Sequence, residues 1–340
     1  MTQSVLSSFS KPALSRSDLN DLYKTIQNDL EKVEQELQSI SSSPNPLIAE
    51  INAYLFQKTG KRIRPALVIL CSKLLGYEGE AHIFMSALVE IIHTASLIHD
   101  DIIDNANLRR GKETVHARWG PNITVLLGDY LYIKSVSLSL QLENDRINRL
   151  LSDVSSQMIE GELVEYSLSR NLNLTESEYL DIIQRKTASL FAASCQIAGI
   201  LGKASAEEEA WLWSYGLNLG MSFQIIDDLL DFKGNEKIIG KPVLSDLSEG
   251  RITLPLIYTL WTDGRSHQER IRELFERNNL DKDSKEEILQ IVKDNGALDY
   301  TYQKASEFHL RTQEIISRFP SSPPRETLHL LAEFILNREK

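Results

Sequence analysis

Three aspartates in one apolar segment, LIHDDIID from Leu97 to Asp104, have the chemistry and the spacing of metal ligands. Asp100 and Asp104 are four residues apart, so on a helix their carboxylates lie one above the other, with Asp101 beside them. The surrounding Leu and Ile side chains would deprive these carboxylates of water, and an oxygen-seeking cation such as Mg²⁺ would offset that cost. For a single cluster, a solvated acidic helix face is the alternative interpretation.

A second cluster of the same kind lies in the apolar segment FQIIDDLLDF, more than a hundred residues later. It contains Asp227, Asp228 and Asp231, and Gln224 lies one helical turn before them. Two acidic faces within apolar helices are difficult to explain as ordinary surface. If the two helices face each other, they predict a cage for several divalent ions, which suits a phosphate-bearing substrate held through bridging Mg²⁺.

The two DDxxD motifs, DDIID and DDLLD, with Arg109 and Arg110 after the first, resemble the trans-isoprenyl diphosphate synthase (polyprenyl synthetase) family. The resemblance extends from about residue 47 to the C-terminus. It implies a prenyltransferase that joins an allylic diphosphate head to tail with isopentenyl diphosphate, in the trans configuration, and that works as a homodimer. It also implies three Mg²⁺ ions in each active site. The implied direct ligands are Asp100, Asp104 and Asp227, and the aspartates implied to hold metal-bound waters are Asp101, Asp228 and Asp231.

A basic turn, TGKRIRP from Thr59 to Pro65, is a candidate diphosphate site. Gly60 breaks the preceding helix, and the cations that follow lie at the start of the next helix, where an anion is favoured. A solvated basic turn is the alternative. In the family that this chain resembles, the residues matching Lys61 and Arg64 hold the diphosphate of isopentenyl diphosphate. Thr59 stands where the family usually has glycine.

His93 and the arginine pair are assigned to the two substrates. Helical periodicity counted back from Asp100 places His93 on the side of the predicted metal site, although a lone histidine in an apolar helix is more often a core residue. The resemblance assigns His93 and Arg110 to isopentenyl diphosphate and Arg109 to the allylic diphosphate. The planar guanidinium group suits this role because it can bind two phosphate oxygens at once.

Lys186 interrupts an otherwise apolar segment, RKTASLFAASC, and therefore needs an anionic partner. The resemblance implies that Lys186 and Thr187, together with Gln224, contact the allylic diphosphate and the developing carbocation. The loop after the second motif supplies Lys241 and Arg251, which resemble the two basic residues that close over the diphosphate. Leu244 replaces a usual glycine in this loop, and Arg251 replaces a common lysine.

Glu160, Glu162 and Glu165 form a further acidic group, but their spacing matches no set of metal ligands. We expect all three to be mostly solvated.

The residues that precede the first motif are expected to limit the length of the product. One helical turn rises about 5.4 Å, comparable to one isoprene unit, so successive turns before Asp100 act as successive floors of a tube. These floors are formed by Ala95 and Ser96, then Ile92, then Leu88 and Val89. Family members that stop at fifteen carbons have bulky aromatic residues at the positions of Ala95 or Ser96. The small residues here predict a longer product of about six to ten units, a quinone side-chain precursor, with a geranylgeranyl product as the alternative.

The elements that must position these residues are predicted to be helices throughout. Amphipathic and apolar helix patterns follow one another with short Gly, Pro or polar breaks, and no alternating strand pattern is convincing. We expect residues 1–16 to form a flexible tail and residues 17–340 to form a single all-α domain. The resemblance implies a bundle of about ten or more helices around a central active-site cavity.

Composition excludes some function classes. The 340-residue chain carries a net charge of −11, which argues against nucleic-acid binding. Cys71 and Cys195 both lie in apolar contexts typical of buried thiols, which fits a reducing compartment such as the cytoplasm. No segment approaches the roughly eighteen uninterrupted apolar residues of a membrane span, so at most transient contact with a membrane surface during product release is expected.

Two other interpretations stay open at this stage. A terpene cyclase also uses an aspartate-rich helix, but its second metal motif is of a different type, and it does not need the site around Lys61 and Arg64. A non-catalytic subunit of a heteromeric prenyl synthase is the alternative outside enzymes. Such subunits tend to lack the aspartate motifs, and both motifs are intact here.

Overall fold

The structure is a computed structural model that describes residues 15–57, 60–109, 111–233, 244–262, 265–276 and 281–338. The predictions for Thr59, Arg110 and Lys241, and for nearly all of the predicted tail, lie outside these residues. The helices are α1 Arg16–Tyr23, α2 Gln27–Ser41, α3 Pro46–Phe56, α4 Ile63–Leu74, α5 Ala81–Ile103, α6 Val115–Trp119, α7 Pro121–Ser139, α8 Asp145–Ser167, α9 Glu176–Ile183, α10 Ser189–Leu201, α11 Ala206–Lys233, α12 Ser245–Ser248, α13 Leu254–Thr262, α14 Arg265–Glu276, α15 Lys282–Asp294, α16 Ala297–Ile316 and α17 Pro323–Asn337. The predicted all-α class is therefore confirmed.

Shorter elements connect some of these helices. Two 3₁₀ turns, Lys24–Ile26 and Leu140–Leu142, follow α1 and α7, and a π-helical turn, Gln184–Ala188, joins α9 to α10. The strands β1 (Leu108–Arg109) and β2 (Lys112–Glu113) pair in an antiparallel hairpin just after the first aspartate motif.

Helix starts follow local sequence signals. Thr175 and Glu178 form the reciprocal capping box of α9, in which the Thr175 side chain accepts from the backbone of Glu178. Asn45 accepts from the first free backbone N–H groups of α3, and Pro46 occupies the first helical position. A 3₁₀ turn divides the amphipathic segment over residues 17–40 into α1 and α2.

Helices α5 and α11, which carry the two aspartate motifs, pack mainly against different helices, although α10 contacts both. Helix α5 packs against α2, α4 and α7, whereas α11 packs against α10, α16 and α17. Close approach of α10 and α11 depends on glycine. A Cβ added at Gly216 would lie 2.5 Å from the backbone oxygen of Phe191, and one added at Gly220 would lie 2.6 Å from the Cα of Ala188. Helix α11 is thus held tightly against α10.

Helices α7 and α8 leave large apolar side chains exposed. Leu126 and Ile133 are exposed on α7, and Ile159, Leu163 and Tyr166 are exposed on α8. Within the described residues, α5 and the span Pro121–Leu142 are long and apolar enough to cross a membrane by length and composition alone. Helix α5 is mostly buried in the protein core, whereas the span that includes α7 is only one-third buried. The apolar surface of α7 is therefore available for contact with another surface.

Candidate active site

A cavity of about 1520 Å³ brings the two aspartate motifs together. It is lined by most of the predicted site residues that the structure describes: Lys61, Arg64, Ile92, His93, Ala95, Ser96, Asp100, Asp104, Arg109, Lys186, Thr187, Gln224, Asp227, Asp228, Asp231 and Arg251. Among the described predicted residues, those outside the lining are Leu88, Val89 and Asp101. Segments that are distant in the sequence thus converge on one space, as the paired motifs predict.

The first aspartate motif is held by two arginines, one from β1 and one from the segment between α12 and α13. Asp101 accepts from Nε of Arg109 at 2.6 Å, and Asp104 accepts from Nη1 of Arg251 at 2.9 Å. The pKa of Asp100 is raised to about 7, first by loss of hydration and then by nearby Glu162 and Asp104, although Lys186 and Arg109 oppose this shift. Burial therefore outweighs the opposing charges at Asp100 and favours its protonated form.

Lys186 lies in the π-helical turn and pairs with two glutamates of α8. Its Nζ is 2.5 Å from Glu162 and also contacts Glu165. Burial lowers the pKa of Lys186, but Glu165, Asp100 and Glu162 raise it by more, so the ammonium group stays charged. A Cβ added at Gly161 would lie 2.8 Å from the backbone nitrogen of Lys186, so glycine allows α8 to approach this turn closely.

The glutamate prediction is partly wrong. Glu162 and Glu165 are not mostly solvated: both are largely buried and line the cavity, whereas Glu160 is exposed. Their spacing gave no signal because they bind a lysine rather than a metal. The sequence features that could have indicated this contact were Lys186, which needs an anionic partner, and Gly161, which lets α8 approach it closely.

The second aspartate motif is built into the wall of the cavity. Asp228 accepts from the hydroxyl of Tyr179 at 2.5 Å and from Nε2 of Gln224 at 2.8 Å. Burial raises its pKa well above the usual range, and nearby Asp246 adds to the shift. The Oε1 atom of Gln224 accepts from the hydroxyl of Thr187 at 2.9 Å. The residues predicted to face the carbocation therefore form one hydrogen-bond chain that ends on Asp228.

Asp231 and Asp227 have different partners. Asp231 accepts from the hydroxyl of Ser245 at 2.8 Å and from the backbone N–H groups of Ser245 and Asp246 at 3.2 Å, so it caps the start of α12. Asp227 accepts from Nη2 of Arg338 at 2.9 Å, although Arg338 lies 111 residues further along the chain. Tyr179 and Arg338 carried no local sequence signal.

Arg251 connects the two motifs. It donates to Asp104 of the first motif and, at 2.8 Å, to Asp246, whose backbone N–H is bound by Asp231 of the second. It also contacts Glu249. Leu244, at the usual glycine position, has a left-handed φ of 59° that favours glycine, yet its side chain is buried in the core. Burial of the leucine thus accompanies the strained backbone of this turn.

The basic turn before α4 is fixed by ion pairs. Arg62 has a left-handed φ of 53° and binds Glu34 and Glu90, each at 2.6 Å. Arg62 therefore holds the turn in place, while Lys61 and Arg64 line the cavity. The guanidinium group of Arg64 lies 4.6 Å from the ring centre of Phe191. His93 is half-buried and also lines the cavity, so the structure places it beside the site rather than in the core.

Of the residues predicted to limit product length, those nearest the motif line the cavity. Ala95, Ser96 and Ile92 are in its wall, whereas Leu88 and Val89 are fully buried and outside it. The facing wall comes from α8, through Ser155, Met158 and Ile159, which the sequence analysis did not select.

The donor chemistry of the site fits Mg²⁺. The cavity contains carboxylates from two helices, and burial raises the pKa of Asp100 although Lys186 and Arg109 oppose the shift. Within the described residues, no three His, Cys, Asp or Glu side chains are already gathered around a single point. The ligand set would therefore have to come together when cations and diphosphate bind.

Comparisons with known proteins agree with this arrangement. Residues 45–292 match the family model for polyprenyl synthetase. The chain is 34% identical over 320 residues to the octaprenyl diphosphate synthase of Haemophilus influenzae, covering 94% of this chain and 97% of the relative.

Solved structures are also similar. A polyprenyl synthase from Caulobacter crescentus, complexed with calcium and isoprenyl diphosphate, superposes with a TM-score of 0.91 at 31% identity, covering 97% of this chain and 99% of the other. A decaprenyl diphosphate synthase from Rhodobacter capsulatus gives a TM-score of 0.90 at 32% identity, covering 95% and 99%. The chain therefore belongs to the polyprenyl synthetase family, and it is an enzyme of the trans-prenyltransferase class.

Proposed function

We propose that this enzyme is a Mg²⁺-dependent long-chain synthase that extends an allylic diphosphate with isopentenyl diphosphate to give an all-trans polyprenyl diphosphate, a quinone side-chain precursor. The observation that carries the proposal is the single cavity, which contains both aspartate motifs, the basic turn before α4 and small residues along α5. The octaprenyl and decaprenyl synthases among its relatives support a long product.

Asp100, Asp104 and Asp227 would bind the metal, with three ions when substrate is present. Asp101, Asp228 and Asp231 would hold metal-bound waters, for which Asp228 and Asp231 would have to share their present hydrogen bonds. When bound, Mg²⁺ supplies positive charge that stabilises the departing diphosphate.

Basic residues around the motifs would bind the allylic diphosphate as its C–O bond breaks. We assign this role to Lys186, Arg109, Lys241 and Arg251, because charge-assisted bonds to phosphate stabilise the negative charge that develops. Lys186 and Arg251 now pair with carboxylates, so each would share or exchange those partners when diphosphate arrives. Their charges are thus already placed in the site before substrate binds.

The second substrate and the carbocation are handled by different residues. Lys61, Arg64, His93 and Arg110 would hold isopentenyl diphosphate, whose double bond attacks the allylic cation. Thr187 donates its proton to Gln224, which leaves lone pairs on the Thr187 oxygen to stabilise positive charge. The released diphosphate removes the final proton, so no protein general base is required.

Phenylalanine substitutions along α5 test the product length. Ala95→Phe, alone and with Ser96→Phe, should plug the cavity one turn before Asp100 and shift the main product to fifteen or twenty carbons, while the first condensation continues. The measurement is chromatography of the dephosphorylated products. Thr94→Phe is the matched control, since Thr94 is half-buried on the same helix but does not line the cavity.

Several results would contradict the proposal. A native product of twenty carbons would identify a geranylgeranyl diphosphate synthase, and no product from purified protein with both substrates would favour a non-catalytic subunit. A long product that persists in the Ala95→Phe variant would mean that the chain does not grow along α5.

We also propose that the enzyme is a cytoplasmic homodimer. The exposed apolar side chains of α7 and α8 offer a surface for a second copy, and Cys71 and Cys195 are free buried thiols that suit a reducing compartment. Light scattering tests the assembly. The native enzyme should have the mass of a dimer, and the Ile133→Lys variant should have the mass of a monomer. Release of a long apolar product would involve transient contact with a membrane surface.

A further inference from the structure

Arg338, the residue immediately after α17, lies in the wall of the cavity beside the second aspartate motif. Its side chain is only 1% exposed, yet it donates from Nη2 to Oδ1 of Asp227 at 2.9 Å and to the backbone oxygen of Phe223 at 3.0 Å. Its Nε is buried without a hydrogen-bond partner among the described residues. Burial of an arginine at this cost needs an explanation other than stability, because a buried ion pair is weak evidence for stabilisation.

The edge of the Arg338 guanidinium group donates hydrogen bonds, and its flat face packs against an aromatic ring. Its carbon lies 4.0 Å from the ring centre of Phe223, and that ring lies 5.2 Å from the ring of Phe191. Phe191 in turn packs under Arg64, which lines the same cavity. A stack of two arginines around two phenylalanines therefore fixes the orientation of Arg338.

Asp227 is bound on one side and open on the other. Its side chain is 48% exposed and lines the cavity, and Arg338 donates to its Oδ1 atom. A carboxylate with one oxygen fixed by a rigid donor has its second oxygen left for a cation, and partners of this kind commonly orient metal-ligating carboxylates.

We infer that Arg338 is a positioning residue for Mg²⁺ binding, because it fixes Oδ1 of Asp227 and so presents Oδ2 to the cation. This inference rests on the proposed role of Asp227 as a metal ligand. It gives Arg338 a role in the reaction that acts through Asp227.

The experiment uses two readouts on the full-length protein. The first is the Mg²⁺ concentration that gives half of the thermal stabilisation in the presence of inorganic pyrophosphate, which does not require turnover. The second is the Mg²⁺ concentration for half-maximal activity. In Arg338→Met, both should rise by about 10- to 100-fold, the usual effect of losing a residue that orients a metal ligand. Arg338→Lys keeps a charge in place and should recover part of the loss.

Two further variants separate positioning from folding. Arg325→Met removes an arginine from the first turn of the same helix, where it donates to the backbone oxygen of Phe319, and should leave both Mg²⁺ concentrations unchanged. In an Asp227→Asn background, Arg338→Met should have no further effect on them. If Arg338→Met does not fold, Arg338→Lys alone still has to raise both values.

The outcomes distinguish the inference from the function on which it rests. If Asp227→Asn raises the Mg²⁺ requirement but Arg338→Met and Arg338→Lys do not, the positioning role is wrong and the metal assignment stands. If Asp227→Asn leaves the Mg²⁺ requirement unchanged, the assignment of Asp227 as a ligand is itself wrong. A fall in thermal stability without a change in either Mg²⁺ concentration would make Arg338 a purely structural anchor.

Discussion

The two aspartate motifs have the same DDxxD spacing, but their surroundings differ. The first motif is paired with Arg109 and Arg251, which are 36% and 22% exposed. The second motif is enclosed by Tyr179, by the start of α12 and by Arg338, which is almost fully buried. Equal spacing therefore does not mean equal surroundings. The first motif pairs with partly exposed arginines, whereas the second motif is bound by buried groups.

This difference has a physical reason in the proposed reaction. Arg109 and Arg251 are assigned to the allylic diphosphate, so the arrival of a metal–diphosphate group exchanges one set of ionic partners for another. The arginine at the second motif is almost fully buried and is not assigned to either substrate. One side of the site can thus rearrange while the other keeps its geometry, which limits the reorganisation required during catalysis.

The largest expected effect is on turnover, and it distinguishes Asp100, a proposed metal ligand, from Asp231, which caps α12. Asp100→Ala should lower turnover by about 10³-fold with little loss of thermal stability, because it removes a proposed ligand that makes no structural hydrogen bond to another helix. Excess chelator should abolish the activity of the native enzyme. Steady-state kinetics and thermal unfolding measure the two effects, and full activity in excess chelator would contradict the metal assignment.

Asp231→Ala is the matching variant in the second motif. It should also lower activity, but in addition it should destabilise the protein by about 0.5–2 kcal/mol, since α12 loses its N-terminal cap. Unchanged thermal stability in this variant would remove the proposed contrast between the motifs.

The next effect is a pH dependence that arises at the first motif. The pKa of Asp100 is raised from 3.8 to about 7 in the metal-free folded protein, within the field of Lys186, Glu162, Arg109 and Asp104. The folded state therefore retains this proton to a higher pH than the unfolded state. Its contribution to stability is complete below pH 3.8 and is lost as the pH rises through about 7.

Mg²⁺ binding should respond in the opposite direction, because the cation competes with that proton. Between pH 6 and pH 8, the Mg²⁺ concentration for half of the thermal stabilisation with pyrophosphate should fall by about tenfold. Asp100→Asn should flatten this dependence, after comparison with the titration of pyrophosphate alone. An equally steep profile in the variant would place the titrating group elsewhere.

Replacement of Arg251 and replacement of Arg338 should change the Mg²⁺ requirement in opposite directions. Arg251→Met should lower the Mg²⁺ concentration for half-stabilisation by about three- to tenfold when no pyrophosphate is present, because Asp104 no longer has to leave an ion pair before it binds a cation. Arg338→Met should raise the same quantity. Calorimetric or thermal-shift titrations of both variants measure this, and a change of the same sign would show that the two motifs do not differ in the way described.

The smallest effect on metal binding is expected at Tyr179. Tyr179→Phe removes the buried hydroxyl that donates to Asp228, so the free energy of unfolding should fall by about 1–3 kcal/mol. The Mg²⁺ requirement should change little, since Asp228 still accepts from Gln224. Denaturant unfolding with and without Mg²⁺ measures both quantities. A large shift in the Mg²⁺ requirement would mean that Asp228 takes part directly in metal binding.

Local patterns predicted the parts of this molecule that depend on nearby residues. The four-residue spacing of Asp100 and Asp104 placed them in one cavity wall, and the helix patterns separated by short breaks predicted the all-α class. Contacts between distant segments were not predictable in this way. Arg338 and Asp227 are 111 residues apart, and no periodicity connects them. Glu162 was misjudged because its orientation depends on the approach of α8 to Lys186, which spacing alone does not reveal.

The π-helical turn Gln184–Ala188 has a consequence for the reading of related sequences. A π-helical turn contains about one residue more than an α-helical turn, so the extra residue sets the rotation of α10 relative to α9. Deletion of one residue there would turn the segment into a continuous α-helix and rotate one side by about 100°. Either Lys186 would then turn away from Glu162, or Phe191 would leave the core. A one-residue alignment gap at this turn would therefore mark a relative that keeps the fold and has lost the geometry of this site.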